Sequence, residues 1–402
     1  MHQMRALINV CITCAPQGTL FAADARPILC RLLILLYGGR RSIASSNMSP
    51  TETRAFVLNE PPVNDVVLEL GKENSTFKLV NQTLDPLADG QVLVRTLIMS
   101  NDPTQRMWIQ KGQDPERMYT APVRPGDKMR TRAIAQVVES KSPDYKAGEL
   151  VLSEMYWADY SILDASLIQR KVDNAVPLPL YISILGLIGM TAYFGLLEVA
   201  KAKKGDTVVV SAASGATGSM VVQIAKAIGC RVIGISGGEE KCRYVESIGA
   251  EVCVDYKNAN FKENIKKALG DKKFCEIYYD NVGGEILDVM LTLTKVHGTI
   301  VACGAISGYN DPTKLLVKNW GEIIVNRLTV KGFIVSDFRD QFADAANQIK
   351  AWIKDGKVKD DSYNLVDLSE KSKFGDIPKT WNLLFQNEKK PGKLLTKLAD
   401  PE

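Results

Sequence analysis

Between residues 50 and 175, apolar and polar positions alternate in short runs such as QVLVRTLIMS and RAIAQVVES, which Pro, Gly and Asp turns break apart. A period of two with turn residues between runs predicts a mostly β region. From about residue 180 to 335 the pattern changes. The runs TVVVS, RVIGIS, EVCVD, EIYYD, TIVAC and LTVKGFIV alternate with segments of helical period. Six such strands with helices between them predict a doubly wound parallel sheet and an α/β fold. After residue 336 comes an amphipathic helical stretch, DQFADAANQIKAWIKDG, and the chain closes with GKLLTKL, which reads as a last strand. That tail is too short to be a domain, so it is expected to return to the first one. The expected divisions are a 1–47 extension, a β-rich domain over 48–179, a doubly wound parallel-sheet domain over 180–335 and a returning segment over 336–402. No internal repeat or low-complexity block interrupts them.

Composition narrows the function. The 402 residues are 46% hydrophobic and 24% charged, an ordinary globular balance with material for two or three domains. The formal charge of +4 sits in the first 47 residues, which hold five arginines, no lysine and one acid, Asp24. From Met48 onward bases and acids balance, so the body carries no basic footprint for nucleic acid. The run PILCRLLILLY is too short to span a bilayer and contains an arginine, and no membrane association is expected. The Arg-rich, acid-poor start suits an organellar transit peptide, whereas MSPTETRAFVLNEPP from Met48 reads like a natural beginning preceded by an upstream start. The second reading implies a cytoplasmic protein, the first a mitochondrial one. Cys11, Cys14 and Cys30 lie in the extension. Cys230, Cys242, Cys253, Cys275 and Cys303 stand singly in strand- or helix-like runs and read as buried thiols of a reducing compartment. With only His2 and His297 in the chain, a zinc site built on His and Cys is not expected, nor any other metal.

The chemistry-bearing stretch is VSAASGATGSMVVQIAKAIGC. Ala212 to Gly218 fit A-x-x-G-x-x-G between a predicted strand and a predicted helix. Small residues there let the backbone approach a pyrophosphate, and the helix N-terminus offers free N–H groups and a positive dipole end. In NAD-specific folds an acid near the end of the second strand binds the ribose diol. Here that place is Ser236-Gly237-Gly238, which leaves room for a 2′-phosphate. Lys241 follows, and Tyr256 lies just past the third strand; both could hydrogen-bond that phosphate, Lys241 as a point charge. Glu239 and Glu240 are the competing acids, and charge in a helix first turn is their simpler role. Gly234 to Gly238 also match the G-x-S-x-G nucleophile elbow. A hydrolase needs a later His, and the one available, His297, reads as an exposed turn residue before a strand.

Together with TAYFGLLEV before it and DNVGG and CGAISGYN after it, this stretch resembles the zinc-independent medium-chain dehydrogenases/reductases. The resemblance is nearest to the prostaglandin reductase, leukotriene B4 dehydrogenase and curcumin reductase group, and it covers about residues 50–398. It implies a GroES-like catalytic domain beside a Rossmann domain, usually in a homodimer. It also implies NADP(H) as cofactor and a small enal or enone as substrate, reduced at its carbon–carbon double bond. By matching position, Gly215, Ala216, Thr217 and Gly218 would contact the pyrophosphate, and Lys241 and Tyr256 the 2′-phosphate end. Asn281, then Cys303, Gly304, Ala305, Ile306, Ser307, Gly308 and Tyr309, then Phe333, Ile334 and Val335, would line the rest of the cofactor.

Such a reduction needs little acid–base machinery: a hydroxyl near the carbonyl oxygen that stabilises an enolate, as an oxyanion hole does. The substrate half departs from the group's pattern. The group's DPYMR is Asp102-Pro103-Thr104-Gln105-Arg106, so its tyrosine is Thr104, and a second tyrosine aligns with Val325. MRGG is Met129-Arg130-Thr131-Arg132, and the Asn of N-x-G-K falls at Lys390. Tyr309 is then the best remaining hydroxyl and the candidate catalytic residue. The rival readings are a quinone reductase of the same superfamily, a metal-free alcohol dehydrogenase, and a non-catalytic NADPH-binding protein.

Overall fold

The computed structural model describes residues 49–387 and 389–402. The expectations placed on residues 1–47, including the transit-peptide and upstream-start readings, Cys11, Cys14, Cys30 and His2, lie outside the described residues. Pro50–Glu402 forms one compact unit.

Strands β1 (Glu52–Leu58) and β2 (Phe77–Thr83) form an antiparallel pair with Phe56 opposite Leu79. The strands β3 (Gln91–Ser100), β4 (Arg130–Ser140), β5 (Leu150–Tyr156), β6 (Tyr160–Asp164) and β7 (Arg170–Val172) then fold antiparallel, as the alternating pattern requires. The next six are β8 (Thr207–Val210), β9 (Arg231–Ser236), β10 (Val252–Asp255), β11 (Cys275–Asp280), β12 (Thr294–Ala302) and β13 (Thr329–Gly332). They make a wholly parallel sheet in the order β10-β9-β8-β11-β12-β13. Successive residues of these strands feed opposite faces. Val208, Val210, Ile277 and Tyr279 enter one core, and Val209, Tyr278 and Ile300 enter the other. Helices therefore cover both faces, and the fold class is the α/β, doubly wound one expected.

The chain end does not stay with this sheet. β14 (Tyr363–Asp367) and β15 (Lys393–Lys397) extend the antiparallel sheet, with β15 between β14 and β3. Trp381, from helix Ile377–Asn382, packs on Phe77 and Trp157 at ring-centroid separations of 5.8 Å each. The last forty or so residues thus complete the core begun by the first strands, whereas the helix Phe342–Lys354, expected to return with them, stays on the parallel sheet through Ala345, Ile349 and Trp352.

His297 lies inside β12 rather than before it. It is exposed, at a left-handed φ of 63° next to the buried Gly298.

Candidate active site

In the parallel sheet the strand order reverses between β8 and β11. At such a switch point the connections leave to opposite faces, and a crevice opens beyond the strand ends. Side chains tie the two ends together. The Asn281 amide donates to Ser211 Oγ at 2.9 Å, and Asn281 Nδ2 to the Ser211 carbonyl at 2.8 Å. Asp280 is 2% exposed, and its Oδ1 accepts the Val282 and Gly283 amides and the Tyr278 hydroxyl at 3.0, 2.9 and 2.8 Å. Burial pushes this carboxyl above its usual range, against the pull of those donors.

The turn after β8 leads into helix Ala216–Ala227. Ala212 holds φ 46°, the left-handed conformation that glycine adopts without cost. A Cβ at Gly218 would stand 2.3 Å from the Ala212 carbonyl oxygen, so only glycine lets the helix start this close to the turn. No side chain caps the helix at Gly215. The first amide groups, at Ala216, Thr217 and Gly218, lack intrahelical acceptors, the arrangement that an anion would use.

At the end of β9, Gly237 leaves space for the Tyr256 ring, which a Cβ would meet at 2.8 Å. Lys241 Nζ donates to the Asn387 carbonyl at 2.8 Å, and burial and the Lys257 charge lower its pKa, against the opposing pull of Glu240. Glu239 pairs with Arg243 one helical turn on and is 84% exposed in its side chain, the first-turn role. Asp255 is turned onto backbone, accepting the Gly238 and Lys257 amides at 2.9 Å each. Ser236 is 2% exposed and its Oγ accepts the Ser214 amide at 3.1 Å, so the elbow-like GISGG presents no free hydroxyl.

Gly392 donates to the Ser214 carbonyl at 2.8 Å and bridges to Gly215, so the segment before β15 lies across the glycine turn. It carries Lys389, whose Nζ donates to the Gly392 carbonyl at 3.0 Å. Burial first, then the charges of Lys393 and Lys241, push that ammonium down to about 8. Lys390 beside it is exposed.

Cys303 to Tyr309 form the loop after β12. Cys303 and Gly304 donate to the Asp280 carbonyl at 2.9 and 3.1 Å, and Ser307 Oγ to the Val282 carbonyl at 2.6 Å. Burial pushes the Cys303 thiol up to about 12, which removes it as a nucleophile. The Tyr309 hydroxyl turns back onto the Ala305 amide at 3.4 Å, and burial raises its pKa. Phe333 lies against Gly195, where a Cβ would stand 2.7 Å from the ring. Ile334 is 38% exposed, and Val335 packs partly buried on the core that holds Phe333. Val325, in helix Gly321–Val325, is 67% exposed.

The strand β3 ends at this crevice with a second group of polar residues. Thr104 Oγ1 and the Tyr119 hydroxyl share a hydrogen bond, and Trp108 Nε1 donates to the same phenol at 3.0 Å. Tyr119 lies close enough to Tyr309 to affect its ionisation. Arg106 is fully buried; its Nε donates to Asn310 Oδ1 at 2.9 Å and its Nη2 to the Asn64 carbonyl at 2.6 Å. It thus ties the residue after Tyr309 to the first strands, and burial lowers its pKa to about 10, opposed by Asp65. Asp102 holds the buried Lys393 ammonium and accepts from Ser100 Oγ. Sequence reasoning missed Tyr119 and the Asp102–Lys393 pair. Tyr119 sits in a loop without period, and Lys393 reaches Asp102 only through the β15–β3 pairing.

Two family models match this chain: a zinc-binding dehydrogenase model over residues 216–351 and an N-terminal domain of oxidoreductase model over 68–170. Prostaglandin reductase 1 of Oryctolagus cuniculus is 37% identical over 291 residues, 71% of this chain and 80% of the relative. The NADPH-dependent curcumin reductase of Escherichia coli is 35% identical over 292 residues, 70% of this chain and 82% of the relative. The crystal structure of CurA from Vibrio vulnificus in complex with NADPH superposes with a TM-score of 0.75 at 33% identity, covering 87% of this chain and 100% of that one. The chain belongs to the medium-chain dehydrogenase/reductase superfamily. Within it, the chain stands in the group that contains the prostaglandin and curcumin reductases. The first model's name refers to zinc, but among the described residues no three His, Cys, Asp or Glu side chains stand close enough to share a metal ion. That donor set does not fit zinc, and no chemical step is routed through a metal. Among the described residues no helix is long and apolar enough to cross a membrane.

Proposed function

We propose that this protein is an NADPH-dependent oxidoreductase that reduces the carbon–carbon double bond of α,β-unsaturated aldehydes and ketones. The observation that carries the reading is the end of β9. Asp255 is turned onto backbone and Glu239 is paired with Arg243, which leaves Glu240 as the competing acid, while Lys241 follows and the Tyr256 ring lies against Gly237. The Lys241 charge and the Tyr256 hydroxyl suit a dianionic 2′-phosphate. The uncapped amides of Ala216 to Gly218 would hold the pyrophosphate, and Asn281, the loop from Cys303 to Tyr309, and Phe333 to Val335 would border the remainder.

When bound, the cofactor supplies a hydride to the substrate's β-carbon. The protein's part is to hold the carbonyl oxygen as negative charge develops on it. Tyr119 and Thr104 form a hydroxyl pair at the crevice that can donate to that oxygen. The Trp108 indole fixes the Tyr119 oxygen from behind. The Tyr309 hydroxyl accepts the Ala305 amide and keeps its own proton, so it would be a further donor to the carbonyl oxygen, with Arg106 and Asn310 keeping its loop in place.

The decisive assay follows NADPH oxidation with a short enone, a long-chain enal and a quinone, each repeated with NADH, on protein from Met48 onward. NADPH-selective turnover of the enone or enal supports the reading. Turnover of the quinone alone moves it to a quinone reductase, and NADPH binding without turnover moves it to a binding protein. Lys241→Ala is expected to weaken NADPH by roughly tenfold or more, the scale of one lost charge-assisted contact, while barely affecting NADH. Equal weakening of both would remove Lys241 from the 2′-phosphate.

We also propose that the active form is a homodimer. β13 is an edge strand exposed along its whole length, and Leu316, Trp320, Ile324 and Val325 before it are 75, 63, 71 and 67% exposed. An open strand edge beside an apolar patch suits a second copy. Light scattering on wild type and Ile324→Asp tests this: a dimer that the substitution dissociates is expected, and a wild-type monomer would refute it.

A further inference from the structure

One side chain holds both the main chain beside Tyr119 and the indole behind its phenol. Thr120 and Ala121, which follow Tyr119, lie in a loop between the helical turn Pro115–Arg117 and β4. Among the described residues, every hydrogen bond that reaches these two comes from Arg130, the first residue of β4. Its Nη1 donates to the Thr120 hydroxyl at 3.2 Å and its Nη2 to the Ala121 carbonyl. The same guanidinium stands over the Trp108 ring, 5.1 Å from its centroid, within the range of a cation–π contact. Nη1 also pairs with Glu154 of β5 at 3.3 Å, and the Arg130 side chain is 18% exposed. Its own main chain is fixed in turn. The Arg130 carbonyl accepts Gln105 Nε2 at 2.7 Å, and Gln105 is fully buried at the start of helix Gln105–Trp108. Arg130 thus joins that helix, the Tyr119 loop and β5.

That arrangement bears on the phenol. Trp108 Nε1 donates to the Tyr119 oxygen, so the indole occupies one of its lone pairs and leaves the phenol proton free to point elsewhere. Tyr119 is 54% exposed, and its main chain is held from the Thr120 and Ala121 side by Arg130. A planar guanidinium can do both jobs at once: its fork holds a hydroxyl and a carbonyl while its face lies on the indole. Resting on the enal and enone reading above, we propose that Arg130 is a positioning residue of this site, which holds Tyr119 and Trp108 so that the phenol is preset to donate to the substrate's carbonyl oxygen. In this role it acts through Tyr119 and touches neither substrate nor cofactor. A donor preset in place stabilises the developing charge without rearranging during the reaction, so a small misplacement lowers the rate and leaves cofactor affinity alone. A lysine would keep a charge over the indole but could not make both loop contacts.

The test is a double-mutant cycle on kcat for a short enone, with Arg130→Gln, Tyr119→Phe and the pair. Arg130→Gln is expected to lower kcat by roughly ten- to a hundredfold with the KM for NADPH unchanged, and Arg130→Lys to restore part of it. In the Tyr119→Phe background, Arg130→Gln is expected to change kcat by less than about twofold, because no phenol remains for it to position. Effects that multiply in the pair would mean that Arg130 serves the fold alone and would overturn the proposal. An Arg130→Gln enzyme with wild-type kcat would overturn it too. Melting temperatures accompany each variant, and if Arg130→Gln fails to fold, the cycle is run with Arg130→Lys. Calorimetric titration of the NADP+-bound protein with 4-phenyl-2-butanone, a saturated ketone that the oxidised cofactor cannot reduce, reads the same cycle without turnover. A loss of ketone binding in Arg130→Gln that is absent from the Tyr119→Phe background sustains the positioning role even if no enone is reduced, and then only the reductase reading falls. Turnover of the enone with an additive cycle removes Arg130 from the site and leaves the reductase reading standing.

Discussion

The two sides of the crevice are built by different means. On the β8 side, the proposed recognition is a property of backbone: a tight turn, an uncapped helix start and glycines where a Cβ would collide. On the β3 and β4 side, it is a property of side chains delivered from distant segments, such as Tyr119 onto Thr104 and Lys393 onto Asp102. Backbone recognition tolerates little variation in sequence, because each position answers to sterics. Side-chain recognition can be rebuilt with other residues as long as charge and hydrogen bonding close. The chain departs from the related proteins' pattern on the second side, at Thr104 and Arg132, and on the first side only in the segment that crosses the glycine turn, at Lys390.

The largest effect that separates the two is expected at Lys393, which is 2% exposed in its side chain and reaches Asp102 across the β15–β3 junction. Lys393→Met would leave the Asp102 carboxylate without its counter-charge, at a loss of about 3 kcal/mol. That is the lower end of what breaking a buried pair costs, because Asp102 keeps 24% of its side chain exposed. The pH dependence has a definite sign. Burial works to raise the Asp102 pKa, but Lys393, Ser100 and Arg132 leave it below its ordinary value. A carboxyl with a depressed folded pKa contributes stability above its unfolded pKa and loses it as pH falls through the folded one. Urea unfolding of wild type and Lys393→Met should therefore differ most near neutral pH and converge in acid below the usual aspartate range. A constant difference would mean that the lysine acts by packing its stem rather than by its charge.

The same contrast explains what could be read from sequence. The six parallel strands and the turn between Ala212 and Gly218 are contiguous patterns, and every strand's apolar run but that of the edge strand β13 states its own burial. The position of Arg132 was visible as a departure, but not its place opposite Glu154, which follows from the β4–β5 register. Tyr119 gave no periodic signal, and its partnership with Thr104 exists only after the loop folds back on helix Gln105–Trp108. Lys389 drew no reading from the sequence. Its place beside Lys241 follows from Gly392 binding the Ser214 carbonyl.

On the backbone side the next effect in size is expected at Gly218. Gly218→Ala would drive a methyl to within 2.3 Å of the Ala212 carbonyl and force the turn apart. A loss of about 1–3 kcal/mol is expected, as for other overpacked sites, together with weakened binding of NADPH and NADH alike. The pairing of these readouts is what matters. A variant that melts lower but binds NADPH as well as wild type would show that the turn's geometry serves the fold alone.

The smallest effect has the opposite sign. Ala212 occupies φ 46°, where its Cβ crowds the backbone by roughly 1–2 kcal/mol relative to a right-handed conformation. Ala212→Gly removes that strain but makes the unfolded chain freer, by roughly 0.4–1 kcal/mol. The difference predicts a net gain of about 0.5 kcal/mol, with NADPH affinity unchanged because the first amides of the helix do not move. Paired with Gly218→Ala, this forms a direct test of the backbone side. If the turn is set by sterics, one added methyl at Gly218 and one removed methyl at Ala212 shift stability in opposite directions. If Ala212→Gly destabilises instead, the Ala212 methyl is packing against its surroundings. The turn would then resemble the substrate side of the crevice, held by side chains rather than by backbone alone.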